Sequence, residues 1–175
     1  MNRALEVMKK RRSVRKYLDK NVSEEKINNL LLSAMWAPTA RNRRHCEFIV
    51  VRDANMRKRL ADATEYSSMC GSADVVIVIL GKRELTEKWI EDCSVAATHI
   101  MLAAVDESLG TCWVQIRGSK HDKIDAEEYI RGLLGIPSSY GVLCMIAIGY
   151  PAEEKEEHSM KEFDKKRVHF ETFIR

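Results

Sequence analysis

The stretch EDCSVAATHIMLAAVDESLGTCWVQIRG, residues 91–118, places a long helix directly before a strand. Cys93, Ala96, Ala97, Ile100 and Ala104 recur at helical spacing, and Gly110 follows near the expected C-cap. The helix is predicted from about Thr86 to Ser108. Its stripe is rich in small residues, so another helix can approach it closely, and this suits a close dimer core. TCWVQI (111–116) then reads as a strand.

Working outward, three more apolar runs read as strands: CEFIVVR (46–52), DVVIVILG (74–81) and VLCMIAIGY (142–150). The second is apolar on both faces. Helices are predicted between them. Residues 2–11 form a short one with Leu5 and Met8 on one side. Ser23 is an N-cap, Glu24 and Glu25 suit the first turn, and Ile27, Leu30, Leu31, Ala34 and Met35 follow at i, i+3, i+4 spacing. Pro38 ends that helix, because Ala37 before it is steered away from helical angles. Asp53 caps a helix to about Ala63, and Asp125 caps one through Leu134, closed by Gly135. The tail, Pro151 to Arg175, is polar until Phe170, Phe173 and Ile174. Helices mixed with continuous apolar strands imply an α/β layered domain around a buried sheet.

The 175 residues fit a single domain, 1–175, with 45% hydrophobic and 31% charged residues. Lys and Arg number 29 against 26 Asp and Glu, so the net charge of +3 lacks the broad basic surplus of a nucleic-acid binder. The five cysteines, Cys46, Cys70, Cys93, Cys112 and Cys144, form no C-x-x-C pair, which fits a reducing cytoplasm and mostly buried thiols. No signal peptide or membrane span is expected: the longest apolar run is Val142 to Ile148.

The sequence lacks G-x-G-x-x-G, a Walker loop, H-E-x-x-H and G-x-S-x-G. Its five histidines show no metal-ligand spacing. His99, mid-helix, reads as structural or surface, and Cys112 in an apolar strand reads as a buried thiol. Anion recognition remains. RRSVR (11–15) offers three guanidinium forks and a hydroxyl, suited to bidentate phosphate binding. DKKRVH (164–169) is a second cationic group. The two make one phosphate pocket if the fold joins them; otherwise both are solvated charge. In WAPTARNRRHCEF (36–48), Thr39 and Asn42 can bond their own turn or a heteroaromatic ring.

Taken together, these stretches resemble the FMN-dependent nitroreductase family in its short form. Arg11-Arg12-Ser13-Val14-Arg15 is similar to its R-R-S-[IV]-R opening, and Ala37-Pro38-Thr39-Ala40-Arg41-Asn42 to the start of its A-P-[ST]-x-x-N-x-Q-P-W segment. Residues 91–118 resemble its central helix and following strand, LLGIP (133–137) and IAIGYP (146–151) its later segments, and KKRVHFETF (165–173) its C-terminal end. The likeness runs over nearly the whole chain in order.

The resemblance implies an α+β fold: a central, mostly antiparallel sheet of four to five strands flanked by helices. It implies a homodimer whose C-terminal segments are exchanged across the partner, with FMN at the interface. By position, Arg11, Arg12 and Ser13 hold the phosphate and ribityl end, with Lys166 and Arg167 completing the phosphate site. Arg15 lies near the pyrimidine edge. Pro38, Thr39, Ala40 and Asn42 reach the flavin from the partner subunit, and Cys112 and Trp113 lie near the ring. The implied activity is hydride transfer from NADH or NADPH, by way of flavin N5, to a small electron acceptor such as a nitroaromatic, a quinone or another flavin. No acid–base pair is then required, because the cofactor carries the redox chemistry. One departure stands out: Arg44-His45-Cys46 replace the family's Gln-Pro-Trp. Two rival classes remain, an FMN storage or sensor protein without turnover and a nucleic-acid binder using the two basic clusters.

Overall fold

A computed structural model of the chain describes residues 2–173. In chain order it contains α1 (Arg3–Lys10), α2 (Glu24–Met35), β1 (Cys46–Val51), α3 (Ala54–Ala61), β2 (Val75–Lys82), α4 (Trp89–Asp106) and β3 (Gly110–Gln115). A short ribbon of β4 (Lys120–His121) and β5 (Ile124–Asp125) follows, then α5 (Ala126–Leu134) and β6 (Tyr140–Gly149). The main sheet has the order β1-β2-β6-β3 and is antiparallel at every pairing. The expected α+β architecture is thus present, with four strands in the main sheet among the described residues.

The two central strands are apolar on both faces because both faces are covered. Val75, Ile77 and Ile79 of β2 and Cys144, Ile146 and Ile148 of β6 pack with Ile27, Leu30 and Ala34 of α2 and with α4. The intervening residues, Val76, Val78 and Leu80 with Met145 and Ala147, face the other way, into Leu60 of α3 and Ala126 and Ile130 of α5. The period of two along each strand therefore sorts one hydrophobic run into two cores.

The helix termini follow local chemistry. Ser23 Oγ accepts from Lys26 N–H, and Asp53 Oδ1 accepts from Met56 N–H at 2.7 Å. Helix α4 starts at Trp89 and not at Thr86, because Thr86 is extended and its hydroxyl accepts from Lys88 N–H at 3.0 Å. Asp125 occupies the N-cap of α5 without a side-chain cap bond. Its carboxylate is held instead by Lys120 across the ribbon, which lowers its pKa.

The small-residue stripe of α4 is also assigned differently. Cys93, Ala96, Ala97, Ile100 and Ala104 are all buried within the chain's own core, against α2 and the sheet. Small side chains let α2 come close, and His99 Nδ1 donates to Ser33 O at 2.9 Å across the same contact. His99 is structural, as its mid-helix position indicates. The uncovered apolar residues lie elsewhere: Leu5 and Met8 on α1, Met35 and Trp36 at the end of α2, and Met160, Phe163, Phe170 and Phe173 in the tail. Ile174, read as part of the apolar tail end, lies outside the described residues.

Ile77 is fully buried on a strand paired on both sides. Ile77→Ala should cost about 2–5 kcal/mol, read as a lower urea midpoint at unchanged slope.

Candidate functional site

The segment Arg11–Arg15 leaves α1 and runs along the outer edge of β3. Ser13 forms a parallel bridge with Thr111, and Val14 N–H donates to Thr111 O at 2.9 Å. Val14 is buried over Gly110, where an added Cβ would meet the Val14 side chain at 2.8 Å. Gly110 therefore lets the segment lie flat on the sheet edge. Tyr17 fixes the far end: its hydroxyl lies 2.6 Å from Val14 O and 3.2 Å from Ala147 O, and burial raises its pKa.

The chain after β6 returns along the other side of this segment. Ala152 N–H donates to Lys16 O at 2.9 Å, and His158 N–H donates to Lys9 O at 3.0 Å. Between them, Arg12 donates to Glu156 O and Lys9 pairs with Glu157 at 2.6 Å. Glu153 is the strongest link. Its Oε1 accepts from Arg15 N–H at 2.6 Å and from Lys16 N–H at 3.3 Å, while its Oε2 pairs with Lys155 at 2.8 Å. These bonds, the one from Arg15 first, pull its carboxyl down to about 2.

The charges of RRSVR stay largely uncompensated. Among the described residues neither Arg11 nor Arg15 forms an ion pair with a carboxylate. Both guanidinium groups are near enough to Cys112 to lower its thiol pKa, against the larger opposite effect of burial, so the thiol stays protonated and inert. An open groove of about 390 Å³ lies on the Arg12 and Val14 side of the segment, lined by Lys10, Arg12, Val14, Gly110, Thr111 and Glu153, among others, and not by Arg11 or Arg15. Trp113 faces the other core and donates to Gln115 Oε1 at 2.9 Å. Arg11, Arg12, Ser13, Arg15 and Cys112 thus meet at one sheet edge. Lys10, just before this segment, also lines the groove.

Pro38, Thr39, Ala40 and Asn42 lie at the opposite edge, in the turn that feeds β1. Three strand spacings, roughly 14 Å of sheet, separate β1 from β3. The turn is tight: Arg41, Asn42 and Arg44 have φ of 53°, 52° and 47°. Thr39 Oγ1 accepts from Arg44 N–H at 3.0 Å, and Asn42 Oδ1 accepts from Arg44 Nε at 3.0 Å. Asp92, buried at the start of α4, accepts from Ala40 N–H at 2.9 Å and from His45 Nε2 at 2.8 Å. Sequence reading missed His45 and Asp92. The one signal was the replacement of Pro-Trp by His45-Cys46.

Lys166 and Arg167 lie in an exposed turn, Lys165–Arg167, capped by Asp164. Among the described residues no hydrogen bond or ion pair links this turn to residues 11–15. The single chain therefore does not join the two cationic groups into one pocket. The tail follows RRSVR only as far as the turn Met160–Glu162, and from Ser159 to Phe173 every residue is exposed.

The sequence model of the Nitroreductase family matches residues 8–67 and 63–150. A relative from Archaeoglobus fulgidus, which bears the provisional name NADH dehydrogenase/NAD(P)H nitroreductase, is 34% identical over 176 residues, 98% of this chain and 99% of its own. The solved structure of an FMN-dependent nitroreductase from Clostridium difficile superposes with a TM-score of 0.95 at 41% identity, covering 97% of this chain and 99% of that one. A provisionally named nitroreductase from Desulfovibrio desulfuricans, solved in complex with FMN, gives a TM-score of 0.75 at 27% identity over 93% of this chain and 95% of that one.

Glu153 sets a pH dependence. Its carboxyl moves from 4.5 to about 2 on folding, so its contribution is complete above about 4.5 and is lost as pH falls through about 2. Glu153→Gln should lower stability at neutral pH, and its gap to wild type should close between these two values in urea titrations at stepped pH.

Proposed function

The chain belongs to the nitroreductase family, and from that premise we propose that it is an FMN-dependent oxidoreductase acting as a homodimer. The observation that carries this reading is the cationic edge at RRSVR. Arg11 and Arg15 are clear of carboxylate partners and flank a hydroxyl at Ser13, and Arg12 between them lines an open groove. That donor set fits a phosphate-bearing cofactor: fixed guanidinium groups bind phosphate oxygens through charge-assisted bonds.

FMN, when bound, would supply the redox chemistry, hydride transfer between NADH or NADPH and, in a second and separate exchange, a small acceptor such as a nitroaromatic, a quinone or a flavin. The chain's own residues bind and orient. Arg11, Arg12 and Ser13 would hold the phosphate and ribityl end. Arg15, its backbone pinned by Glu153, would keep a positive charge at the pyrimidine edge, where it favours the reduced cofactor. Cys112 would lie at the ring, its protonated thiol taking no covalent part, while Trp113 faces the opposite side of β3. Pro38, Thr39, Ala40 and Asn42 would come from the partner subunit. Their position at the opposite sheet edge supports this, because a second copy can supply what one chain holds apart.

The dimer also accounts for the uncovered apolar residues. Leu5 and Met8 of α1, Trp36 and the tail's Phe163, Phe170 and Phe173 are all exposed in the single chain. Such a set marks an association surface. A tail exchanged onto the partner would bury these side chains and carry Lys166 and Arg167 to the second subunit's phosphate site.

Purified protein saturated with FMN should lose its visible flavin absorption on anaerobic addition of NADH or NADPH and regain it on adding a quinone. Bound FMN that neither nucleotide bleaches would reject the reductase in favour of storage or sensing. Arg11→Ala should weaken FMN binding tenfold or more, as expected for loss of a charged hydrogen bond. Arg15→Gln should retain the cofactor but shift its midpoint potential to more negative values. Met8→Asp should yield monomers by sedimentation and reduce FMN retention; dimers with full FMN would exclude α1 from the interface.

A further inference from the structure

Residues His45 and Cys46 lie side by side where the turn meets β1, and Asp92 and Cys93 lie side by side in the first turns of α4. The fold sets these two dipeptides face to face. His45 Nε2 is 2.8 Å from Asp92 Oδ2, and Cys46 Sγ is 3.4 Å from Cys93 Sγ. A ring nitrogen of His45 and the two sulfurs all lie within 4.8 Å of one another.

The tautomer of His45 follows from its partner. The Asp92 carboxylate only accepts, so the ring proton sits on Nε2. Nδ1 is then the nitrogen left to ligate. It is buried with no hydrogen-bond partner among the described residues, on a residue only 3% exposed. An unsatisfied buried polar atom is costly, and such atoms in folded proteins call for a ligand. We propose that His45 Nδ1, Cys46 Sγ and Cys93 Sγ form a binding site for Zn²⁺.

Three features of the structure match that ion. The donor set, two thiolates and one imidazole, is one that zinc accepts, and the spacing of the sulfurs is within a few tenths of an ångström of the ~3.8 Å that tetrahedral geometry with bonds of ~2.3 Å requires. Two thiolates and a neutral imidazole balance a dication, so the only net charge left in the buried site is the Asp92 carboxylate, which His45 and Ala40 N–H already hold. The Asp92–His45 bond supplies the outer carboxylate that orients a ligating imidazole. Asp92 is thus a positioning residue, and it is itself braced by Ala40 N–H at 2.9 Å.

The surroundings give room and access. Gly81 is the strand partner of Cys46, and a Cβ there would lie 2.9 Å from Cys93 Sγ. Glycine at that position lets the second sulfur reach the first. Cys46 is half-buried and opens onto a groove lined by Thr39, Arg44 and Phe48, so the fourth coordination position can be filled by water from that side. On binding, each thiol releases one proton to solvent and no electron is transferred.

Cobalt is a spectroscopic probe for such a site. The full-length protein, kept reduced with a non-thiol reductant, should bind one equivalent of Co²⁺ and develop thiolate charge-transfer absorption. Tetrahedral d–d bands should appear in the red, clear of any flavin, and one equivalent of Zn²⁺ should remove them. Cys46→Ser and Cys93→Ser should each abolish the wild-type spectrum, while Cys70→Ala should retain it. Asp92→Asn should weaken affinity about 10–100-fold. Absence of d–d bands from the wild-type protein overturns the site, whatever the variants do. So does a spectrum unchanged in Cys46→Ser. Oxidation of Cys46 and Cys93 to a disulfide, with no Co²⁺ taken up by the reduced protein, would also overturn it and leave a thiol pair. None of these readouts depends on nucleotide oxidation, so the site can fail while the oxidoreductase reading stands.

Discussion

Strand β6 is buried from Gly141 to Gly149, and a buried strand must satisfy both of its rows of backbone groups within the protein. It does so by pairing with β2 on one side and β3 on the other. That constraint fixes the rest of the sheet. With β6 and β2 central, β1 and β3 become the edges, and each edge carries one part of the candidate site. RRSVR closes the β3 edge through Ser13 and Val14. The turn bearing Thr39, Ala40 and Asn42 enters the β1 edge. The separation of these parts follows from satisfying one apolar strand, and a site drawing on both edges calls for two chains.

Electrostatics then keep the cationic edge usable. A cluster of arginines on a sheet edge would ordinarily be neutralised by the acids that follow β6, where Glu153, Glu154, Glu156 and Glu157 lie close by. The structure places these groups elsewhere. Glu153 spends its acceptor capacity on the backbone N–H groups of Arg15 and Lys16 and on Lys155. Glu157 takes Lys9, and Glu156 engages Arg12 through its carbonyl and not its carboxylate. Acids hold the backbone of the segment in place, and the guanidinium groups of Arg11 and Arg15 keep their charge for an anion.

What the sequence made legible was local chemistry and period. The caps at Ser23 and Asp53, the two-sided burial of DVVIVILG and the buried stripe of α4 all come from interactions within a few residues. The failures were long-range. The small stripe of α4 gave no sign of whether its partner was α2 or a second subunit, since both would demand small side chains. Asp125 looked like a cap until Lys120 took its carboxylate across a ribbon too short to show any alternation. RRSVR could be read as anion-binding, but its seat on β3 depends on Gly110, nearly a hundred positions later. The pairs His45–Asp92 and Cys46–Cys93 are each 47 residues apart, so no spacing rule for metal ligands or catalytic pairs would have joined them.

Asp92 links these strands of the argument. Three left-handed residues, Arg41, Asn42 and Arg44, make the turn before β1 costly to hold, and none is glycine. The turn persists because Thr39 and Asn42 bond Arg44 from within and Asp92 bonds Ala40 from below. The same Asp92 oxygen also accepts from His45. Residues 44–46 are where this chain leaves the Gln-Pro-Trp of the family pattern. A proline at position 45 would lack the ring donor that Asp92 now accepts from, and a tryptophan at position 46 would fill the space where two sulfurs meet. The departure is therefore not an isolated change of surface residues. It supplies the second partner of the buried carboxylate that supports this turn, one bond away from the backbone of Ala40. A ligand taken up at the His45–Cys46–Cys93 cluster would act on that turn through Asp92.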